Sequence, residues 1–187
     1  MQEHGLKISE LVTLFNLEVL NRGSDYDTAL LTITDVNRPG LQFHSFYDYF
    51  DPRRLQVLGK AEITYLKGLT TEQRRKCFDD LFLYDIPALV ISRGLDCFPE
   101  CLESARVHER TLLRTEETTV EFTSHTIEYL NRVLAPCVTR HGVLLDISGE
   151  GVMITGDSGI GKSESAIELI MPVSYTHLRA HETCADL

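Results

Sequence analysis

Between Lys7 and Leu20, apolar side chains recur at Ile8, Leu11, Val12 and Phe15, the spacing of one face of a helix. Ala29 to Thr34 (ALLTIT) is apolar and β-branched and reads as a strand. A turn follows at Asn37-Arg38-Pro39-Gly40, then an aromatic-rich run, Phe43 to Phe50, closed by Asp51-Pro52, and a short strand at Gln56 to Leu58. Thr70 with Gln73 has the pattern of a capping box and opens a helix with Cys77, Phe78, Leu81 and Phe82 on one face. Ala88 to Ser92 (ALVIS) reads as a buried strand. Pro99 sits near the start of a helix running to about His108, at a position where proline is tolerated. Thr111 to Leu113 is a further strand and Thr118 to Leu134 a further helix. Strands alternating with helices predict an α/β domain with a largely parallel sheet. Pro136 marks a boundary, because helices usually end before a proline.

Beyond Pro136 the pattern changes. Val143 to Ile147 (VLLDI) and Val152 to Thr155 (VMIT) are strand candidates joined by Ser148-Gly149-Glu150-Gly151, the composition of a hairpin turn. The second strand runs into a glycine-rich loop, and Ala166, Ile167, Leu169 and Ile170 then give an apolar helical face.

Composition narrows the class. A chain of 187 residues, 43% hydrophobic and 25% charged, can build one large or two small globular domains. A formal net charge of −10 argues against a nucleic-acid binder, which presents a basic face. No run approaches the ~18 apolar residues of a membrane span, and no signal peptide is visible. The five cysteines, Cys77, Cys97, Cys101, Cys137 and Cys184, are odd in number and scattered, which suits reduced thiols better than a disulfide framework. Cys97 and Cys101, with His108 nearby, invite a zinc reading. Two half-buried thiols at a helix start explain them more simply, since no second ligand pair follows at finger spacing.

Gly156-Asp157-Ser158-Gly159-Ile160-Gly161-Lys162-Ser163 fits G-x-x-x-x-G-K-[ST] at every defined position. Glycines let the backbone bend so that its N–H groups converge, and the helix that follows adds its positive end. Lys162 can place an ammonium on the β- and γ-phosphates, and Ser163 can offer a hydroxyl to Mg²⁺. His141 starts the strand one hairpin earlier. It could assist proton transfer or orient a phosphate, or it could simply cap a strand. A phosphate loop leaves the reaction open.

His141 to Asp146 (HGVLLD), Gly156 to Glu164 (GDSGIGKSE) and Ala166 to Leu169 together resemble the start of the kinase domain of the HPr kinase/phosphorylase family. Upstream, Thr32 to Leu41 (TITDVNRPGL), Phe46 to Phe50 (FYDYF), Gln56 to Lys60 (QVLGK), Pro87 to Gly94 (PALVISRG) and Leu112 to Thr115 (LLRT) are similar to the N-terminal domain of the same family. The resemblance covers about Gly5 to Ile170. It implies an N-terminal Mur-ligase-like α/β regulatory or assembly domain over 1–134. Residues 135–170 would then start a P-loop kinase domain resembling phosphoenolpyruvate carboxykinase.

The same resemblance implies a bacterial, cytoplasmic, hexameric enzyme. With ATP or pyrophosphate and Mg²⁺, it phosphorylates a serine of the phosphocarrier HPr and removes that phosphate by phosphorolysis, in carbon catabolite repression. No nucleic acid and no membrane enter this picture. By that resemblance His141 and Lys162 are active-site residues, Gly156 to Ser163 bind the nucleotide, and Ser163 lies near the metal.

The likeness ends at about Ile170. The family's two aspartates, which do its acid–base work, would fall near Arg179 and Ala180, where no carboxylate stands. Asp186 lies at the wrong distance. Residues 171–187 are therefore expected to be foreign or disordered, and the chain is expected to be an inactive fragment with a poorly folded C-terminal third. His177, His181 and Cys184 form a nominal metal cluster in that tail, with no meaning if the tail is foreign. The other functional reading is a non-catalytic regulatory protein that senses nucleotide through the loop.

Overall fold

The computed structural model describes residues 5–136, 139–147 and 149–170, with the main chain of 185–186. The turn residue Ser148, Cys137, and the tail residues His177, His181 and Cys184 lie outside the described residues. The chain divides into two compact units, Met1–Ala135 and Pro136–Leu187.

The first unit begins with β1 (Leu6–Lys7) and α1 (Ile8–Leu14), followed by β2 (Glu18–Asn21), β3 (Leu30–Leu31) and β4 (Val36–Asn37). Then come β5 (Leu55–Leu58), α2 (Lys60–Lys67), α3 (Thr71–Phe82), β6 (Leu89–Ile91), α4 (Pro99–Val107), β7 (Leu112–Arg114) and α5 (Thr119–Val133). Five strands form the main sheet in the order β2-β7-β6-β5-β4. The run from β4 to β7 is parallel, and β2 is added antiparallel on the β7 edge. β1 and β3 make a separate antiparallel pair.

Strand alternation supplies two apolar faces. Leu58, Leu89, Ile91 and Leu112 pack with Ile63, Leu66, Phe78, Leu81, Phe82 and Cys101, from α2, α3 and α4. Leu55, Val57, Ala88, Val90 and Leu113 pack with Ile8, Leu11, Phe122 and Leu130, from α1 and α5. The result is a three-layer unit with the sheet in the middle. Buried on both faces, β6 carries no exposed side chain, as expected of a central parallel strand. Gln56 is the polar exception, fully buried. Its Oε1 accepts from Asn37 Nδ2 at 2.6 Å and its Nε2 donates to the Arg54 carbonyl at 2.7 Å, so the amide is satisfied within the β4–β5 edge.

The capping box at Thr70 is present. Gln73 N donates to Thr70 Oγ1 at 3.3 Å, and Thr70 N donates to Gln73 Oε1 at 3.0 Å. Pro99 is the first helical residue of α4. Two expectations need correction, and one helix went unread. The first helix stops at Leu14, short of Leu20, because Asn16 adopts a left-handed φ of 49°. A residue in that conformation ends a helix and here sends the chain into β2. The ALLTIT strand is reduced to Leu30–Leu31 and pairs outside the main sheet. Finally, α2 is an additional helix, capped by Gly59 where no N-cap side chain signals it.

In the second unit, β8 (Thr139–Arg140) pairs with β11 (Ala185–Asp186). β9 (Gly142–Ile147) and β10 (Glu150–Thr155) form an antiparallel hairpin. After the glycine loop, α6 (Lys162–Ile170) packs on that hairpin. Leu145 and Ala166 are its buried apolar residues among those described, while Leu144, Val152, Ile167 and Leu169 stay exposed.

Candidate phosphate-binding loop

The loop is built by the hairpin and by glycines. β10 ends at Thr155, which pairs with Gly142. A Cβ on Gly142 would lie 2.7 Å from the Ile154 carbonyl oxygen, so the strands come together at this end only around a glycine. Beyond Thr155 the chain bends through Gly159 and Gly161, with φ of 83° and 89°, a region that side chains other than glycine enter at a cost. The Gly161 carbonyl accepts from Ser165 N at 2.9 Å. α6 therefore starts directly after Gly161, and the amides of its first turn have no helical acceptor.

Lys162 reaches back over the loop. Its ammonium donates to the Gly156 carbonyl at 2.8 Å and to the Asp157 carbonyl at 2.6 Å. Those two acceptors, main-chain oxygens of the loop's first residues, were not legible in the sequence, which names side chains and not the direction of carbonyls. Ser163 is exposed in the first turn of α6, and Asp157, Ser158, Gly159 and Ile160 line the outer side of the loop in contact with solvent. Ile160 is exposed, and its methyl lies 3.2 Å from where a Cβ on Gly156 would stand.

His141 is exposed and immediately precedes the Gly142–Thr155 pair. The hairpin register therefore sets His141 at the end of the ladder where the loop begins. The chemistry these groups can offer is that of an anion cradle: an ammonium, amides without helical acceptors at a helix start, and a hydroxyl. The donor set also suits a hard cation, because Ser163 presents a hydroxyl oxygen.

The zinc reading of Cys97, Cys101 and His108 does not fit the geometry. Cys101 is in the first turn of α4, whereas His108 is its C-cap, about 10 Å along the axis at 1.5 Å per residue. His108 Nε2 instead lies 3.5 Å from Asp79 Oδ1. Among the described residues, no group of three or more metal-ligating side chains comes together, and no helix is long and apolar enough to cross a membrane.

A strand opening through a glycine loop into a helix, with a lysine at the helix start, makes the second unit a candidate loop–helix anion site. Similarity to known proteins is more specific. Residues 6–130 match the family described as HPr Serine kinase N terminus, and residues 132–178 match the HPr Serine kinase C-terminal domain. The second match extends past Ile170. The chain belongs to the HPr kinase/phosphorylase family.

The HPr kinase/phosphorylase of Alkaliphilus metalliredigens is 46% identical over 165 residues, which cover 88% of this chain and 53% of that protein. That of Clostridium tetani is 43% identical over 182 residues, covering 97% and 57%. That of Caldanaerobacter subterraneus is 41% identical over 181 residues, covering 97% and 57%. The chain thus spans little more than half the length of these relatives. A solved structure of the CBS and DRTGG domains of a Clostridium perfringens pyrophosphatase aligns over 68% of this chain and 49% of its own, with a TM-score of 0.48 and 12% identity, too low to bear on fold or function.

Proposed function

We propose that this chain supplies the N-terminal regulatory or assembly domain and the nucleotide loop of a bacterial, cytoplasmic HPr kinase/phosphorylase. The enzyme would use ATP or pyrophosphate to phosphorylate a serine of HPr and would reverse that reaction by phosphorolysis. It would work as a hexamer in carbon catabolite repression. The observation that carries the reading is Lys162, held by its ammonium over the mouth of a glycine loop that opens into α6, in a chain of this family.

In this reading Lys162 exchanges its two carbonyl partners for the β- and γ-phosphates. The amides from Gly156 to Ser163 hold the phosphate oxygens. Ser163 would hold Mg²⁺, which when bound neutralises charge on the transferring group. His141, at the loop end of the hairpin, orients a phosphate or moves a proton at its imidazole. Transfer to a serine also needs a group that takes the hydroxyl proton. None of the residues described here is assigned that role, and the 187-residue chain alone is expected not to phosphorylate HPr.

The test uses the full-length protein that carries this sequence, with HPr and ATP–Mg²⁺. Phosphoserine on HPr is expected. Lys162→Ala is expected to lower the rate by about 10²–10³-fold, the scale seen when a preorganised charge-stabilising group is lost. His141→Ala should slow transfer while nucleotide binding persists. Full activity in Lys162→Ala, or transfer only to small-molecule acceptors, would defeat the proposal. Nucleotide binding without any transfer would point to the sensing role.

A further inference from the structure

Cys97 and Cys101 form a built pair of thiols on the first unit, remote in sequence from the phosphate loop. Cys97 lies in the loop after β6, and Phe98 is the N-cap of α4, with φ −68° and ψ 140°. Pro99 then starts the helix, and Cys101 follows in its first turn. The backbone passes from extended at Phe98 to helical at Pro99, and Cys97 packs against the buried cluster that contains Cys101. Cys97 Sγ donates to the Phe98 carbonyl at 3.3 Å.

The two thiols differ in access. Cys101 is buried in the core between the sheet and α3 and α4, at 1% exposure, whereas Cys97 is partly open to solvent. They differ in character as well. The Cys101 S–H, outweighing the opposing effect of burial and helped by the Arg114 guanidinium, holds the Cys97 thiol below the usual cysteine range. Burial first, and then the Cys97 sulfur, push the Cys101 thiol well above that range. A low, reachable thiol beside a buried partner is the arrangement of an oxidation-sensitive cysteine with a resolving thiol. With no third ligand joining them among the described residues, metal binding does not compete.

We propose that Cys97 and Cys101 form a reversible disulfide when the protein meets a peroxide, Cys97 being attacked first and Cys101 resolving it. The Cys97 sulfur takes one peroxide oxygen as the O–O bond breaks, giving a sulfenic acid and one water. The Cys101 sulfur then attacks the Cys97 sulfur, the S–O bond breaks, and a second water leaves. Two thiols and one hydrogen peroxide become one disulfide and two waters. The sulfurs lose two electrons and the peroxide gains them. The product ties the loop after β6 to the first turn of α4.

The test is peptide mapping of the reduced full chain after brief exposure to hydrogen peroxide, with remaining thiols alkylated before digestion with trypsin. Gly94 to Arg106 is one tryptic peptide holding both cysteines and no others. It is expected to lose two hydrogens and to escape alkylation, and dithiothreitol should restore it. Cys77 serves as the internal comparison. It is buried, its Sγ donates to the Phe43 carbonyl at 3.4 Å, and burial pushes its thiol up, so its peptide should remain alkylated. Cys101→Ser should leave Cys97 trapped as a sulfenic acid that dimedone labels, and Cys97→Ser should leave Cys101 reduced. A doubly alkylated Gly94 to Arg106 peptide after exposure, or Cys97 oxidised to sulfinic acid with Cys101 still free, would overturn the proposal on the unmutated protein alone.

Discussion

At the residue scale, single atoms decide what a position tolerates. Gly59, the N-cap of α2, has an ordinary φ of −109°, yet a Cβ there would lie 2.6 Å from Thr119 Oγ1 and 3.1 Å from an Arg38 nitrogen. Thr119 cannot easily withdraw, because its hydroxyl is 2.7 Å from Ser92 Oγ, which in turn donates to the Leu58 carbonyl at 2.9 Å. Gly59→Ala is therefore expected to destabilise the first unit by about 1–3 kcal/mol, the range for forcing extra volume into a packed site. Urea denaturation checks this, and an unchanged midpoint would contradict the packing argument. Gln56→Leu should cost about 1–3 kcal/mol in the same assay, because the Arg54 carbonyl loses its donor and Asn37 Nδ2 keeps only the 3.5 Å contact with Gln42 Oε1. Gln56 was legible as a strand residue, but its buried amide was not, since nothing in a sequence says which polar side chain of a strand faces inward.

At the element scale, local signals worked where side chains cap or break a helix. Thr70 and Thr118 each accept the N–H three residues on, at 3.3 Å, and each helix starts at the next residue. Thr70→Ala and Thr118→Ala should each lower stability by about 1 kcal/mol. The double variant should show nearly the sum, since the two caps belong to separate helices. Denaturation midpoints of the three variants decide it, and strong non-additivity would mean that the caps are coupled through the sheet. α2 went unread because its start relies on the Gly59 backbone and on Glu62, whose carboxylate accepts from Gly59 N at 2.9 Å, with few apolar positions to mark a face. The left-handed turn at Asn16 was equally silent, because asparagine permits that conformation without demanding it.

At the scale of the whole molecule, charge and burial set two expectations. Burial pushes the Glu62 carboxyl up, but hydrogen bonds from Arg38 and from the main chain of Glu62 and Gly59 outweigh it and hold the group below the usual range. Glu100 is held down by Arg74, which pairs with it across α3 and α4 at 2.9 Å. For groups with lowered folded values, the stabilisation is present above the unfolded carboxyl value near 4.3 and is lost as pH falls through the folded values. Asp25, raised by burial, acts in the opposite sense and regains stability as it protonates. Asp51, held down by Arg53, and Glu121, held down by Thr118, act in the same sense as Glu62 and Glu100, so four lowered carboxyls stand against one raised among the described residues, which predicts a net loss of stability on acidification below about pH 4.3. Glu62→Gln should flatten that decline, and a pH series of denaturation midpoints measures it.

Hydrogen exchange gives a second whole-molecule check. Amides of Leu89–Ile91, in the fully buried β6, should exchange more slowly than those of the exposed β9–β10 hairpin. Protection follows local burial and packing, and equal protection in both would contradict this account.

The sequence alone determined what depends on local chemistry. The alternation of strands and helices, the cap at Thr70, the proline at the start of α4, and the glycine loop with Lys162 and Ser163 all follow from backbone preferences and spacing that neighbouring residues express by themselves. The motifs it shares with the HPr kinase/phosphorylase family were legible in the same way. Only the tertiary structure decided the order of the strands, the exclusion of Leu30–Leu31 from the main sheet, the burial of Gln56 and the meeting of the Cys97 and Cys101 thiols. Each of these depends on which surfaces meet, sometimes across many residues of chain. The pairing that sets His141 at the loop end of the hairpin belongs to the same group, because strand register is fixed by packing and turn geometry together.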